Sequence, residues 1–557
     1  MAGVILENLS TKKLFGFCVI LLIVQIICFL VGGLIAPKPT DANSHLTTKC
    51  VDPADNVHKW FIPNGPGECS KVANFEEAAR KYFDANQIVF SLQMPHRPYN
   101  MSRSFQFILT MLRLETQYQL TVPDAPEEMT MIVRVGYRDS EYEDWKELTR
   151  VTETRKLECL LHSNEDEGPV DGDPYDCEPL PFFELSTCHH KQYLINIRLP
   201  VEFNKKTNEQ KYNTKLGSIN DIWIIEIHQT GGFTLVWLTM KTVMTPIPLV
   251  FLIWFWLRIS KLNRSPVLME KFVMVLGISI TFLNIPIEWF TFWFNIPYML
   301  LISDIRQGIF YATLLSSWII FVGEHLMDTV ERARLSAYWK QVGTIAFCCF
   351  CMFVFDMCER GVQISNPFFT LWTTETGKNL AMIFLVMAGI CFSAYFLFLC
   401  FMVWQIFRNI SIKRLALPHM AKARRLHYEG LIFRFKFFML FTLLCAALTV
   451  IFFILSQVYE DHYKMGHEKT LQISSAFFTG VYGMWNIYVV AVIFLYAPSH
   501  KQVSSDNDDS SEGSHVEFQL ESTATTPGCD DPPSTATAAA RTDQSELKNL
   551  LTKTAID

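Results

Sequence analysis

Long apolar runs recur along the chain and divide it into membrane and aqueous parts. A helix needs about 20 apolar residues to cross a bilayer core of roughly 30 Å, and in lipid its backbone amides must be paired internally, so each such run predicts a helix. The runs are Leu14–Ala36, Thr234–Leu257, Phe272–Thr291, Leu301–Val322, Val342–Met357, Asn379–Trp404, Phe435–Val458 and Ser474–Tyr496. The fifth run is short, and its many Cys and Phe residues between Phe347 and Phe355 favour burial inside a helix bundle.

The first run has two interpretations. Lys12 and Lys13 precede it, as basic residues precede the apolar part of a signal peptide. The run is, however, longer than the usual signal core of about 7–15 residues, and Pro37 follows Ala36 where a peptidase would need a flexible site. We therefore favour an uncleaved anchor.

Basic residues in the short loops predict the orientation. Lys12 and Lys13 favour a cytosolic N-terminus, and the loop Ile406–Lys436 carries eight Lys or Arg residues against one acid. The loop Phe292–Met299 carries neither Lys nor Arg. Alternation then puts residues 1–13 and the tail 498–557 in the cytosol, and residues 37–233 in the lumen or outside the cell.

The segment 37–233 is polar and repeatedly alternates apolar and polar residues with a period of two. The alternating stretches are Phe105–Leu109, Met129–Val135, Tyr193–Leu199 and Ile222–Ile227. Such stretches predict half-buried strands, and only Phe75–Asp84 suggests a helix. We predict an all-β sandwich of antiparallel sheets here, and a seven-helix bundle at 234–497 after the first helix at 14–36.

Five cysteines lie in the sandwich segment, as an oxidising compartment permits. The sequence alone does not decide among the possible pairings; we expect the local disulfides Cys50–Cys69 and Cys159–Cys177. Cys188 is then left over, either as a buried free thiol or as a partner in another bond. Of the Asn-x-Ser sequons, only Asn100 lies in this segment, so we expect it to be glycosylated.

Composition and motifs exclude several function classes. Only 18% of the 557 residues are charged and the net charge is −7, which leaves no basic face for nucleic acid. We find no HExxH, GxSxG, P-loop or Gly-rich dinucleotide motif, so we predict neither an enzyme nor a cofactor. His189 and His190 follow Cys188 without a CxxC spacing, which disfavours a metal site. Binding is favoured over catalysis.

Two short patterns resemble sorting signals. Tyr428 to Leu431 (YEGL) fits the tyrosine pattern read by clathrin adaptors, although Tyr428 also suits an interfacial anchor. In the tail, which is acidic and predicted to be disordered, Glu546, Leu550 and Leu551 fit an acidic dileucine pattern. A transient amphipathic turn is the alternative there.

Ionisable residues at membrane depth are costly and point to function or to pairing between helices. Asp304 and Arg306 begin the fourth run, and Glu359 and Arg360 end the fifth. Asp304 and Arg306 are two residues apart on a helix and do not face each other, so each is expected to pair elsewhere, for example with Glu288. Interhelical pairing, a charged rim around an opening and an ion relay all remain open.

Several long strings resemble the Wntless family, in order along residues 1–500. They are LVGGLIAP from Leu30, DIRQGIFY from Asp304, FDMCERG from Phe355, RRLHYEGLIFRF from Arg424, GMWN from Gly483 and YAPSH from Tyr496. The tail beyond residue 500 departs from the vertebrate carrier, and its retrieval signal to the reticulum is not evident.

The resemblance implies a sandwich similar to GOLD domains, a receptor-like seven-helix bundle, and a carrier for Wnt proteins that bear a palmitoleoyl chain. It implies travel through endoplasmic reticulum, Golgi, plasma membrane and endosomes, with clathrin adaptors and retromer as partners beside membrane lipids. The carrier would need an apolar slot with a polar rim, for which Asp304, Arg306, Glu359 and Arg360 are candidates. Slot candidates are Phe310, Tyr311, Leu314, Phe353, Phe392, Phe396, Phe453 and Phe477, with room left by Gly308, Gly389 and Gly480.

Two other function classes match parts of the sequence. A signalling receptor suits the seven-helix arrangement, but the last helix lacks an Asn-Pro-x-x-Tyr sequence. A small-solute transporter would need broken helices at repeat-related positions, and Pro246, Pro248 and Pro286 are not repeated in the later runs.

Overall fold

The computed structural model describes residues 5–52, 61–65, 67–95, 100–120, 125–162, 169–201, 203–204, 209–210, 212–213, 215–216, 218–262, 264–324, 339–371, 374–414, 422–464 and 475–498. Its α-helices are Ile5–Asn8, Thr11–Leu30, Phe75–Arg80, Gly231–Met244, Pro246–Ser260, Leu268–Asn284, Met299–Glu324, Trp339–Gln363, Glu375–Arg414, Lys422–Lys464 and Ser475–Leu495. Short 3-10 helices occupy Ala85–Gln87, Arg103–Phe105 and Ile287–Phe292, and a π-helical turn occupies Val31–Ile35.

Residues 40–229 form a β-sandwich, called the sandwich domain below. Its strands are β1 (Thr40–Leu46), β2 (Thr48–Val51), β3 (Ser70–Lys71), β4 (Ile88–Met94), β5 (Ile108–Gln117), β6 (Glu128–Arg138), β7 (Lys146–Lys156), β8 (Cys159–Leu161), β9 (Pro174–Cys177), β10 (Leu180–Leu185), β11 (Gln192–Arg198), β12 (Phe203–Asn204), β13 (Glu209–Gln210) and β14 (Ser218–Gln229). One sheet has the order β1-β14-β5-β9-β8, with β10 also paired to β5, and the other has the order β3-β2-β4-β11-β6-β7. The predicted fold class is confirmed.

The sandwich core follows the predicted alternation on β6, whereas β11 is buried on both faces from Gln192 to Ile197 and Phe105 does not start a strand. Met129, Met131 and Val133 on β6 are at most 1% exposed, because every second side chain of a strand points to the same face. Phe105 instead ends a 3-10 helix. Gln106 then takes a left-handed backbone conformation with φ 63°, so β5 begins only at Ile108.

Eight helical segments in the described ranges are long and apolar enough to span a membrane. They are span 1 (Lys12–Ile35), span 2 (Gly231–Ser260), span 3 (Leu268–Phe292), span 4 (Met299–Gly323), span 5 (Trp339–Gln363), span 6 (Glu375–Ser411), span 7 (Ile432–Phe452) and span 8 (Ser475–Leu495). We call the end of the bundle that meets the sandwich domain the sandwich side. β1 follows span 1 and β14 leads into span 2, so both chain crossings join the two parts there.

Span 5 lies at the rim of the bundle, contrary to the expectation that its Cys and Phe run is buried. It is 25 residues long, none of its most apolar stretch is buried, and Phe347 and Phe350 are 68% and 60% exposed. Span 8 is instead buried along nearly its whole length. The prediction failed because lipid is as apolar as a protein core, so composition alone does not separate the two.

Span 1 packs tightly against span 8. The side chain of Gln25 donates to the carbonyl of Gly480 at 2.8 Å. A Cβ added at Gly480 would lie 2.2 Å from the ring of Phe29, and one at Gly483 would lie 2.6 Å from Cys28. Such close backbone approach is typical of small residues at membrane helix interfaces. This packing favours the interpretation of span 1 as an anchor.

Candidate functional site

The span 4 members of the predicted apolar slot lie in the bundle core. Phe310 and Leu314 are 0% exposed and Tyr311 is 8% exposed. The ring centroids of Phe310 and Tyr311 each lie 5.4 Å from that of Trp485 in span 8. These side chains are enclosed by protein, so they form the wall behind any open slot.

The remaining slot candidates lie nearer the lipid. Phe353 of span 5, Phe392 and Phe396 of span 6 and Phe477 of span 8 are half-buried, and the two span 6 rings pack against the bundle core. The side chain of Phe453 lies outside the described part of the chain.

Open space borders two of the three glycines expected to leave room for a chain. No atom lies within 4 Å of a Cβ added at Gly308 in span 4 or at Gly389 in span 6. The expectation for Gly480 is wrong, because Phe29 of span 1 fills the space beside it. The two open glycines and the half-buried rings of span 6 lie on spans 4 and 6, which pack against each other, and we call the apolar surface of these spans the candidate slot.

The four rim candidates do not form one ring. Arg360 at the end of span 5 pairs with Asp304 at 2.9 Å and with Glu184 of β10 at 3.0 Å. Glu359 is 5% exposed and accepts a hydrogen bond from Thr370 at 2.9 Å. Arg306 points elsewhere, as its two-residue offset from Asp304 predicts.

Arg306 belongs to a buried charge cluster with Lys241 of span 2 and Glu288 of span 3. Their exposed fractions are 1%, 4% and 8%. Both cations contact the Glu288 carboxylate, Lys241 with its Nζ at 2.6 Å, and Arg306 also donates to the carbonyl of Ile285 at 2.6 Å. The cluster joins spans 2, 3 and 4 at the point where the α-helix of span 3 ends. The sequence analysis did not identify Lys241 as a member, although Lys241 is a lone cation in an apolar run.

A second cluster that the sequence did not reveal lies at the base of the sandwich domain. Glu226 of β14 is 3% exposed and lies 3.3 Å from both His45 of β1 and His228. Burial raises the pKa of Glu226, but the two imidazoles outweigh it, so that pKa lies below its ordinary value. Glu226 and His228 share one face of a strand, which is the signal in the sequence, whereas the neighbouring strand that brings His45 is not predictable locally.

The other predicted residues are the cysteines, the glycosylation site and the sorting candidates. Disulfides join Cys50 to Cys69 and Cys159 to Cys177. Cys188 is a free thiol, 3% exposed, and burial raises its pKa to about 12. Asn100 is exposed on the sandwich domain. The side chains of the sorting candidates Tyr428, Leu431, Glu546, Leu550 and Leu551 lie outside the described part of the chain.

Metal binding finds no support among the described residues. No group of three or more His, Cys, Asp or Glu side chains there has the arrangement of a metal site. The arrangement instead offers an apolar surface on spans 4 and 6, bordered on the sandwich side by the Asp304–Arg360–Glu184 ion pairs.

Two family profiles match the chain one after the other. The profile described as Wntless, GOLD domain covers residues 48–229, and that described as Wntless-like, transmembrane domain covers residues 230–500. The protein wntless homolog of Gallus gallus is 54% identical over 532 residues, which span 94% of this chain and 97% of the relative. The chain belongs to the Wntless family. The predicted family and the GOLD-like sandwich are thereby confirmed.

Other Wntless relatives extend the comparison. The human protein wntless homolog is 53% identical over 96% of this chain and 98% of the relative, and the protein wntless of Drosophila mojavensis is 44% identical over 90% and 91%. The human alignment spans 535 residues. Similarity to the Wntless family therefore continues beyond residue 500, further than the sequence alone suggested.

Proposed function

We propose that this Wntless-family protein carries lipid-modified Wnt proteins through the secretory pathway to the plasma membrane. The observation that carries the proposal is the continuous similarity to Wntless proteins, with both family domains in the same order and more than 90% of the relatives' length covered. A bundle that presents an apolar surface next to a folded extramembrane domain suits a cargo with both an acyl chain and a polypeptide.

The route and orientation form part of the same proposal. The sandwich domain faces the lumen and both termini face the cytosol, as the basic loops favour. The protein passes from endoplasmic reticulum and Golgi to the cell surface and returns by endocytosis. Clathrin adaptors would bind Tyr428 and Leu431, the pattern around Glu546, Leu550 and Leu551 would serve the same traffic, and retromer would return the carrier.

The acyl chain explains why a membrane protein is needed. Exposing apolar carbon to water costs about 0.8 kcal/mol per methylene, so a palmitoleoyl chain costs roughly 10 kcal/mol in water. The space beside Gly308 and Gly389 would receive it, with Phe392 and Phe396 as the contacting rings. The ion pair of Asp304 and Arg360 would border its entrance.

The first experiment is rescue of Wnt secretion in cells that lack their own carrier. We expect this chain to restore secretion and co-precipitation of a wild-type Wnt protein, but not of one whose acylated serine is replaced. Failure to rescue, by a protein that folds and leaves the reticulum, contradicts the carrier assignment. Agonist-dependent coupling to G proteins in the same cells would then support the receptor alternative.

A second experiment tests the slot itself. Gly389→Leu fills the open space beside span 6, so we expect it to reduce co-precipitation of the acylated cargo. Gly343→Leu is the matched control, because Gly343 in span 5 also has open space beside it but lies near the end away from the sandwich side. Equal cargo binding by the two variants would place the chain elsewhere.

A further inference from the structure

The connection between spans 5 and 6 enters the core of the sandwich domain. Phe368 of this connection is 1% exposed, and its ring centroid lies 5.8 Å and 5.5 Å from those of Phe182 and Phe183 on β10. It packs with the sandwich core and not with the bundle. A membrane-helix connection therefore supplies a core residue of the extramembrane domain.

Both sheets of the sandwich hold the backbone of this connection. The guanidinium of Arg155 on β7, itself 5% exposed, donates to the carbonyl of Phe368 at 2.7 Å. The amide of Glu184 on β10 donates to the carbonyl of Pro367 at 2.9 Å. Because β7 and β10 belong to different sheets, the connection is fixed to the sandwich as a whole.

Charged side chains tie the adjoining helix ends to the same strands. On span 5, Arg360 pairs with Glu184 at 3.0 Å. On span 6, Glu375 pairs with Lys156 at 2.8 Å and Lys378 with Glu158 at 3.1 Å. The Arg360–Glu184 pair is partly buried, whereas the two pairs of span 6 are between 45% and 76% exposed and contribute little. The sandwich domain therefore holds the end of span 5 by a charge pair and the start of span 6 mainly through the Phe368 connection.

Within the membrane, the same two spans make few contacts with each other. The backbones of spans 5 and 6 each lie against span 4, and among the described residues no extended backbone packing joins span 5 to span 6. At depth they meet through the rings of Phe355 and Phe384, 5.3 Å apart, and the thiols of Cys348 and Cys391 lie near each other. A pair of helices held firmly at one end and weakly along its length can separate when that end moves.

We propose that the Phe368 connection couples the position of the sandwich domain to the separation of spans 5 and 6. A protein bound to the sandwich would thereby control access to the apolar surface beside Gly308 and Gly389. The proposed coupling rests on the proposed function only where it assigns that surface to an acyl chain. The coupling itself is a property of the chain without cargo.

The test is thiol cross-linking between spans 5 and 6 in the full-length protein in membranes. A short, membrane-permeant bifunctional thiol reagent is applied, the Cys348–Cys391 product is quantified by peptide mass spectrometry, and Cys391→Ser identifies the background. Phe368→Ala releases the connection, and we expect the cross-linked fraction to fall roughly fivefold or more, the low end of ordinary coupling between distant sites. Phe90→Ala is the matched control, since Phe90 is also 1% exposed in the sandwich core and its ring packs beside Phe75, 6.1 Å away.

A milder variant distinguishes loss of the coupling from misfolding of the sandwich domain. Arg360→Gln removes the pair with Glu184 without emptying the sandwich core, and we expect an intermediate loss of cross-linking. Because it also removes the pair with Asp304 of span 4, Asp304→Asn is its control and is expected to cross-link as the wild type does. Wild-type cross-linking in both Phe368→Ala and Arg360→Gln, or an equal loss in Phe90→Ala, overturns the coupling. If cross-linking falls as expected but acylated and non-acylated Wnt proteins are secreted alike, the coupling stands and the carrier proposal fails.

Discussion

The buried cluster of Lys241, Glu288 and Arg306 makes a strong prediction about the stability of the bundle. Glu288→Gln keeps the size of the side chain but removes the carboxylate that contacts both cations of this cluster, which are 4% and 1% exposed. Breaking a buried ion pair by removing one partner costs about 3–5 kcal/mol, because the remaining charge is left uncompensated. For a bundle of this size, that loss lowers the melting temperature by roughly 6–20 °C.

Thermal unfolding of the purified protein in detergent, followed by tryptophan fluorescence, measures the effect. Glu270→Gln is the matched control. Glu270 is also buried, but its partner Arg264 is 34% exposed and can be hydrated when the carboxylate is lost, and a Gln oxygen can still accept from the amide of Val267. Adding Lys241→Met to Glu288→Gln removes one of the two uncompensated cations and is expected to restore part of the loss. If Glu288→Gln has the same melting temperature as Glu270→Gln, the Glu288 carboxylate does not stabilise the bundle through Lys241 and Arg306.

Three further predictions concern other parts of the molecule. Gly480→Ala is expected to lower the melting temperature, because the new Cβ would lie 2.2 Å from Phe29, and adding Phe29→Ala should restore part of it. The pKa of Glu226 is depressed from its ordinary 4.5, so its stabilising contribution is present above that pH and is lost as the pH falls through the depressed pKa. Circular dichroism melts of wild type and Glu226→Gln should therefore differ at neutral pH and converge as the pH is lowered below 4.5. Asn100→Gln is expected to abolish the gel shift on glycosidase treatment. Asn263 belongs to the Asn-x-Ser sequon after span 2, on the predicted cytosolic side, and Asn263→Gln is expected to leave the shift unchanged.

The architecture was largely predictable because membranes and strands impose strict periodicities. An apolar run of about 20 residues has few alternatives to a helix in lipid, and the alternation at Met129–Val135 marks a strand with one buried face. Local chemistry shifted the boundaries: the left-handed Gln106 delays β5, and lipid contact makes span 5 as apolar as the buried span 8. The hydropathy pattern predicts neither of these two effects.

The candidate site was predictable only in part, because its contacts are long-range. The divergence of Asp304 and Arg306 follows from helix geometry, and Arg306 pairs with Glu288, as suggested from the sequence. The groups that complete the two clusters were not predictable: Glu184 of the sandwich domain shares Arg360 with Asp304, and Lys241 of span 2 shares Glu288 with Arg306. An ionisable residue at membrane depth is expected to pair with another polar or charged group. Which partner it finds depends on how the helices are arranged, and a single sequence does not state this.

The sandwich core crosses the boundary that divides the chain by family profile. Phe368 lies within the stretch matched as a transmembrane domain, residues 230–500, yet its ring is buried among residues of the stretch matched as a GOLD domain, residues 48–229. A buried aromatic side chain stabilises the domain that surrounds it as well as the chain segment to which it belongs. The two domains therefore share one packed element, and a change in one is felt at the helix ends of the other.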